Sequence, residues 1–167
     1  MDIITHALVG RVVGRVFDKT PSPQSLNLAA LGGVAPDLLQ IPLYLYLGHI
    51  NDRPFNYPDS ADWVGARAEH PLWMLWWLIP HSLFFVLLII YPLIRRFPIP
   101  RTFMYAYISH IILDIPSHTG EWATAPLYPI PLSLDGVADV WDWYPLYYII
   151  FWIPLILLLR YLSRRRK

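Results

Sequence analysis

Ionisable side chains of the types that bind divalent metals occur where the chain is otherwise apolar. Three histidines and two carboxylates form this set: His6, Asp37, His81, His110 and Asp114. A lone charge inside a membrane is costly, so such groups usually pair with one another or bind a ligand. Two carboxylates among three imidazoles would offset the cost by holding a cation. Since the chain has no cysteine, these donors favour Zn²⁺, with Mn²⁺ or Fe²⁺ as alternatives, as one ion or two.

The segment SHIILDIPSHTGE concentrates these residue types. A helix turns about 100° per residue, which places His110, Asp114 and His118 on one face. Eight residues also rise about 12 Å, so a straight helix cannot offer all three to one ion. Pro116 allows the chain to break, which would let His118 and Glu121 fold back over the site. Alternatively, the segment serves two ions about 3.5 to 4 Å apart, with Asp114 between them.

Simpler interpretations remain open at this stage. A single histidine in a spanning helix often makes an interhelical hydrogen bond, and His110 with Asp114 has the spacing of an ion pair on a helix face. His49 and His70 are expected in loops as solvated side chains. The acids of LDGVADVWDW do not have the spacing of a Ca²⁺ loop and indicate a polar turn; they are Asp135, Asp139 and Asp142.

The composition indicates a chain that folds in lipid. Hydrophobic residues make up 56%, aromatic residues 16%, and the mean hydropathy is +0.39, well above ordinary soluble usage. We expect one membrane domain over residues 1–167. A net charge of +1 gives no sign of nucleic-acid binding. The segment MDIITHALVG lacks the basic start of a cleavable signal peptide, and the sequence makes no prediction of oligomeric state.

Five apolar segments predict an all-α bundle of four to five transmembrane helices. Residues 71–94 and 144–162 are the clearest spans, and residues 1–17, 28–47 and 101–118 are weaker because they carry the ionisable residues. Residues 1–17 would either cross the bilayer or lie along its surface. Prolines inside the segments predict kinked or broken helices: Pro36, Pro80, Pro116 and Pro154.

The distribution of basic residues predicts the orientation. With five spans and the N-terminus outside, 11 of the 13 Lys and Arg residues fall on the inner side, as the positive-inside rule requires. The polar stretches 48–70 and 120–143 then face outward with eight acids. We therefore expect a multi-pass protein of the cell's inner membrane with a cytoplasmic C-terminus.

Four segments in this order resemble the predicted membrane-bound metal-dependent hydrolases: MDIITHALVG, GGVAPDLL, PHSL and SHIILDIPSHTG. These are multi-span bacterial and archaeal proteins, distantly related to zinc-dependent phospholipases C and single-strand zinc nucleases. The resemblance covers most of the chain. It implies that the metal ligands are His6, Asp37, His81, His110 and Asp114, with His118 as a further ligand or catalytic neighbour.

One departure concerns the His-Arg pair that the family often carries before its Thr-His-Ser element. Trp76 and Trp77 stand where that pair would fall, and Pro80 replaces the threonine. Either a loop residue would substitute for the missing pair, namely His70, Arg67 or Arg53, or the site would hold fewer ions than the sites of its relatives.

The expected activity is cleavage of a phosphoester in a lipid or lipid-like substrate that enters from the bilayer. Water activated by the metal would attack, an arginine would stabilise the phosphoryl charge, and Asp37 or Glu121 would accept the proton. Two alternatives come from other classes. A noncatalytic scaffold would use the polar groups only to lock helices together, and an ion or metal transporter would use them as a pathway.

Overall fold

The computed structural model describes residues 1–140 and 143–165. Helices account for 72% of the chain, and no strand occurs in the described residues apart from an isolated bridge between Thr124 and Leu134. The predicted all-α class is therefore confirmed. The α-helices are α1 (Ile3–Phe17), α2 (Pro23–Leu38), α3 (Ile41–Ile50), α4 (Ser60–Glu69), α5 (Leu75–Leu78), α6 (Leu83–Phe85), α7 (Tyr91–Arg96), α8 (Arg101–Ser117) and α9 (Tyr148–Arg164).

Side chains at the ends of α1 and α2 fix where these helices begin. The carboxylate of Asp2 accepts hydrogen bonds from the amides of Ile4 at 3.0 Å and Thr5 at 2.9 Å. Ser22 and Ser25 cap the start of α2 reciprocally, each hydroxyl accepting from the other's backbone amide at 3.0 Å. Both arrangements satisfy amides that have no partner within the helix. The short connection between them makes α1 and α2 an α-helical hairpin.

Small residues let α1, α2 and α8 approach at backbone distance. A Cβ atom at Gly10 would lie 2.5 Å from the carbonyl oxygen of Ala29, and one at Gly33 would overlap the carbonyl oxygen of His6. Gly32 makes the same close approach to α8. Interfaces of this kind are typical of helix packing in membranes. The packing places His6, the end of α2 and the middle of α8 side by side.

His81 lies in a break between two helical stretches, the first ending with α5 and the second beginning with α6. The helical pairs Pro71–Leu78 and Leu83–Arg96 are bent by 58° relative to each other, and Pro80 lies in the gap. The hydroxyl of Tyr107 donates to the carbonyl oxygen of Pro80 at 2.8 Å, which satisfies an acceptor that the break exposes. Past the gap, α6 continues through one π-helical turn (Val86–Ile90) into α7. The other three prolines lie within helices that continue through them: Pro36 in α2, Pro116 in α8 and Pro154 in α9.

The described residues confirm a helical fold, but they do not establish how many helices cross the membrane. Among the described residues, one stretch, Pro23–Ile50, is long and apolar enough to cross a membrane, or two if the bent pair counts as a single span. It joins α2 and α3 and extends beyond the expected 28–47. The helix expected over 144–162 begins only at Tyr148 and has 17 residues. The number of membrane spans therefore stays a prediction.

The two long connections pack over the ends of α3 and α8. In the first, α4 contributes Trp63 to an apolar cluster with Leu47 and Met74. In the second, the amide of Gly136 donates to the carbonyl oxygen of His118 at 2.8 Å. Both connections thus reach the end of the molecule at which His6 and Asp37 lie.

Candidate metal centre

The side chains of His81 and His110 direct their Nε2 atoms toward each other. The Nδ1 of His110 lies 2.7 Å from the carbonyl oxygen of Gly33, and the Nδ1 of His81 lies 2.8 Å from that of Trp77. A carbonyl can only accept, so each Nδ1 is the donor and each neutral ring keeps its Nε2 lone pair. The two Nε2 atoms are 3.0 Å apart. Two lone pairs at this distance repel unless a proton or a metal cation lies between them.

Two carboxylates complete the group around these nitrogens. Asp37 Oδ1 lies 3.6 Å from the Nε2 atoms of both His81 and His110. Asp114 Oδ2 lies 3.0 Å from His110 Nε2 and 3.6 Å from His81 Nε2. Ligands about 2.0 to 2.1 Å from a tetrahedral Zn²⁺ are about 3.3 Å from one another. The distances from these oxygens to the two Nε2 atoms bracket that value. Two sets of three side chains have the spacing to hold an ion: His81 with His110 and Asp114, and His6 with Asp37 and His110.

The second oxygen of Asp114 faces another set of donors. Its Oδ1 lies 3.1 Å from His6 Nε2, 3.6 Å from His118 Nε2 and 2.8 Å from the terminal amine of Met1. The His6 ring stacks on that of His110 at 3.6 Å between centroids. Neither ring nitrogen of His6 has a hydrogen bond with a described residue. Each carboxylate oxygen of Asp114 thus faces its own group of side chains, and the terminal amine of Met1 also lies 3.2 Å from His118 Nε2.

The end of α8 brings His118 into this second set. The helix passes through Pro116 and ends at Ser117, and His118 follows in an extended conformation with φ −136° and ψ 131°. Gly136 holds its carbonyl, and Asp139 Oδ1 lies 3.9 Å from its Nδ1. His118 therefore reaches Asp114, four residues before it, and not His110.

Asp37 is more exposed than the other five expected ligands. The five residues His6, His81, His110, Asp114 and His118 are each at most 2% exposed. The side chain of Asp37 is 25% exposed. The structure thus brings together all six of the expected ligands, and Asp37 alone of them reaches an open cavity. Their function as metal ligands stays a prediction.

Glu121, expected as a possible proton acceptor, lies apart from this cluster. Its side chain is 63% exposed, and its carboxylate is 4.0 Å from the guanidinium of Arg67. The cause is local: Gly120 has a φ of 58° and starts a 3-10 turn that directs Glu121 outward. The carboxylate of Asp135 accepts from the Gly120 amide at 2.7 Å, in keeping with the expected polar turn. Asp142 lies outside the described residues.

The three loop residues considered as substitutes for the missing pair make other contacts. Arg53 donates to Asp62 through two nitrogens at 2.8 Å each. This pairing lowers the pKa of the Asp62 carboxyl and raises that of the Arg53 guanidinium. Arg67 lies over the ring of Trp122 at 4.7 Å. His70 stacks on Trp73 at 4.1 Å between centroids. In the described residues, no arginine approaches the cluster.

A cavity of about 660 Å³ leads from Asp37 to the surface. Its wall contains four carboxylates, of which Asp59 pairs with Arg53 at 2.7 Å, five aromatic rings, and Met1 with its terminal amine. The rings meet at steep angles: Tyr44 and Trp63 are 4.8 Å apart at 64°, and Trp63 and Trp122 are 6.2 Å apart at 83°. The lining acids are Asp2, Asp37, Asp59 and Asp139, and the aromatic residues are Tyr44, Tyr57, Trp63, Trp122 and Tyr148.

Sequence reasoning did not find the groups that orient the ligands. Two of these groups are the backbone carbonyls of Gly33 and Trp77. The type of a residue does not indicate whether its carbonyl will contact a histidine. Asp139 was assigned to a polar turn because its spacing matched no known loop. Its position 21 residues beyond His118 gave no local signal of contact.

Comparison with known proteins leaves the site as the main source of functional information. No family model, curated protein or solved structure matches the chain.

Proposed function

We propose that this chain is a membrane-embedded, metal-dependent hydrolase that cleaves a phosphoester of a lipid or lipid-like substrate. The observation that carries the proposal is the cluster of acceptors around His81 and His110. Two Nε2 lone pairs and two carboxylates converge within 3.0 to 3.6 Å. Buried acceptors need donors or a cation. A divalent ion such as Zn²⁺ satisfies all four, and Asp114 allows a second ion beside His6 and His118.

Exposed apolar side chains support a location in the bilayer. None of the residues described for α9 is buried, and the helix exposes Ile150 at 67% and Leu157 at 56%. Leu87 and Leu88 are exposed by 59% and 65%. Apolar faces of this extent are unfavourable in water and favourable against lipid. The inner-membrane location and the five-span orientation remain part of the proposal.

The cavity narrows the class of substrate. Its wall carries carboxylates, so a substrate with only negative charge would be repelled unless an ion at the centre held its phosphate. Aromatic rings and carboxylates favour an organic cation. We therefore expect a phosphoester next to an ammonium group, as in zwitterionic phospholipids. The phosphate would lie near Asp37, and the ammonium group would lie among Tyr44, Trp63 and Trp122.

The residues of the chain have distinct parts in hydrolysis. A bound divalent ion would supply Lewis acidity toward the phosphoryl oxygen and activate a water molecule. Asp37 directs Oδ1 toward the histidines, which leaves Oδ2 to accept a proton at the cavity. Gly33 and Trp77 hold His110 and His81 in the tautomer that presents Nε2. Asp139 faces His118 and limits its orientation. Because none of the described arginines pairs with Asp37 or Asp114, the bound ions would be the main groups that stabilise charge on the phosphoryl oxygens.

Elemental analysis and a hydrolysis assay on detergent-purified protein test the proposal. The wild-type protein should contain stoichiometric Zn²⁺, Mn²⁺ or Fe²⁺ and should cleave phosphatidylcholine or phosphatidylethanolamine faster than phosphatidylglycerol. Asp114→Asn should lose metal and activity together. Asp52→Asn is the matched control, because Asp52 is exposed and asparagine tolerates its φ of 52° equally well.

Other outcomes point to the alternative functions. A wild-type protein without stoichiometric metal would refute the hydrolase and favour a scaffold. Bound metal with ion flux into liposomes and no ester cleavage would favour a transporter. Full metal and activity in Asp114→Asn would refute the assignment of the site.

A further inference from the structure

Four arginines converge on a second cavity at the opposite end of α1 from the candidate metal centre. Arg11 and Arg15 come from α1, and Arg160 and Arg164 come from α9. Each pair is spaced by four residues, so both members lie on one face of their helix. The cavity measures about 480 Å³, and its remaining wall is mainly apolar: Leu8, Leu26, Ile156 and Leu159.

The helices that form this cavity are parallel neighbours. At the other end of the pair, the indole nitrogen of Trp152 donates to the Thr5 hydroxyl at 3.1 Å. The two helices therefore run side by side from that contact to the arginines. Leu8 and Ile156 lie between the Trp152 contact and the arginines. The apolar wall of the cavity therefore extends from the arginines toward the interior of the proposed bilayer.

Among the described residues, these arginines have no carboxylate partner. None of the four has a carboxylate within 4.0 Å among residues 1–140 and 143–165. Four like charges around one cavity repel one another. The favourable interaction of cations with helix C-termini offsets part of this cost for Arg15 and Arg164.

Topology alone does not explain the convergence. The positive-inside rule requires basic residues at this membrane face, and Arg95, Arg96 and Arg101 satisfy it without lining this cavity. It does not require two helices to direct four guanidinium groups at one apolar-walled cavity. Guanidinium groups bind phosphate oxygens in a bidentate manner, and alkyl chains would pack on the leucines.

We infer that this cavity binds the head group of an anionic phospholipid from the inner leaflet, with its acyl chains along Leu8 and Ile156. Basic cavities between helices on the cytoplasmic side are typical sites for such lipids. Four arginines match two phosphodiesters, so cardiolipin is expected to bind more tightly than phosphatidylglycerol. The site rests on the proposed membrane location and not on hydrolysis. The lipid would join α9 to α1, the helix that carries His6.

Thermal unfolding and native mass spectrometry in detergent micelles test this inference. Cardiolipin added to the micelles should remain bound as one or two molecules per chain and should raise the melting temperature. Phosphatidylglycerol should do so less, and a neutral glycolipid, which has neither a phosphate nor an ammonium group, should have no effect. Because the signal is retention of lipid, a failure of the phosphoesterase assay would leave this result unchanged.

Matched variants locate the effect. Arg160→Gln with Arg164→Gln should weaken cardiolipin binding about 30-fold. Arg95→Gln with Arg96→Gln removes the same charge from the same predicted face and should leave binding unchanged. The inference is wrong if both double variants weaken binding equally, because general surface charge would then be responsible.

Two results on the wild-type protein would also overturn the inference, even if the variants failed to fold. One is equal retention of cardiolipin and of the neutral glycolipid. The other is stabilisation by millimolar inorganic phosphate to the same degree as by cardiolipin, which would mean that a free anion, not a lipid, is the ligand.

Discussion

The Nδ1 of His110 donates a hydrogen bond to the carbonyl oxygen of Gly33 at 2.7 Å, across 77 residues of sequence. This bond joins α8 to α2 and fixes the histidine tautomer whose Nε2 lies in the candidate metal centre. The absence of a side chain at Gly33 also lets the backbone of His6 approach α2. One glycine therefore sets the positions of two of the proposed ligands.

Substitution of Gly33 should disturb both stability and metal binding. In Gly33→Ala the new Cβ would overlap the carbonyl oxygen of His6, so α1 and α2 must separate. We expect a loss of about 1–3 kcal/mol, as in other overpacked interiors, together with weaker metal binding. Thermal unfolding in detergent and elemental analysis measure the two effects.

Gly65→Ala is the control for that substitution. No atom lies within 4 Å of the Cβ position at Gly65 in α4, and alanine is the better helix former by about 0.5–1 kcal/mol. The melting temperature should stay the same or rise. Equal destabilisation by both substitutions would contradict the proposed role of Gly33.

The two faces of Asp114 predict different metal contents for two histidine variants. His118 approaches Oδ1, whereas His81 approaches Oδ2. If the wild-type protein binds two ions, His118→Gln should keep about one, held by the side chains around His81. His81→Gln should lose that ion instead. Elemental analysis provides the count.

His49→Gln serves as the reference for these variants, because His49 is exposed at the end of α3. It should bind as much metal as the wild-type protein. A His118→Gln protein with the full wild-type content would remove His118 from the ligand set.

Removal of metal should destabilise the fold. Without a cation, the Nε2 atoms of His81 and His110 meet as acceptors beside Asp37 and Asp114, and their repulsion has no compensation. A chelator should lower the melting temperature, and added Zn²⁺ should restore it. At a free metal concentration 100 times Kd, binding contributes about 2.7 kcal/mol. An unchanged melting temperature after complete removal of metal would contradict the proposed centre.

The first long connection should become less stable in acid. Arg53 lowers the pKa of Asp62 below its ordinary value of 3.8. The stabilising effect is therefore complete above pH 3.8 and is lost progressively as the pH falls from there through the lower folded-state pKa. Limited proteolysis with an acid protease should show faster cleavage between Arg53 and Asp62 over that range.

Asp62→Asn should make this connection more protease-sensitive at neutral pH and should reduce the dependence on pH, of which the pair between Arg53 and Asp59 keeps a part. Asp135→Asn, in the second long connection, is the comparison and should leave cleavage near Arg53 unchanged. If the wild-type connection were equally resistant at pH 5 and pH 3, the pairing would have no part in holding it.

Several features of the fold and of the site could be predicted from local sequence. His110 and Asp114 share a face because they are four residues apart in a helix, and the caps at Asp2 and Ser22 use side chains next to the amides they bind. The all-α class followed from long apolar segments. The break expected at Pro116 does not occur, because α8 continues through this proline and ends at Ser117.

The predictions that depended on direction and length beyond a few residues were less successful. The break expected at Pro80 is confirmed by a bend of 58° between the flanking helical stretches, but the angle of this bend could not be predicted. Glu121 was expected near the centre, yet the positive φ of Gly120 directs it outward. Both outcomes depend on backbone angles at one or two residues, which apolar composition does not specify.

The sequence by itself determined which chemical groups this protein can offer, namely imidazoles and carboxylates without thiolates, and on which helices they lie. Only the tertiary structure decided which atoms meet. His6 and Asp37 are brought to His110 from separate helices and His81 from the break before α6. The rings of His110 and His81 are oriented by the backbone carbonyls of Gly33 and Trp77. The physical reason is that helices approach as closely as their smallest facing residues allow, so the contacts depend on packing between helices distant in sequence.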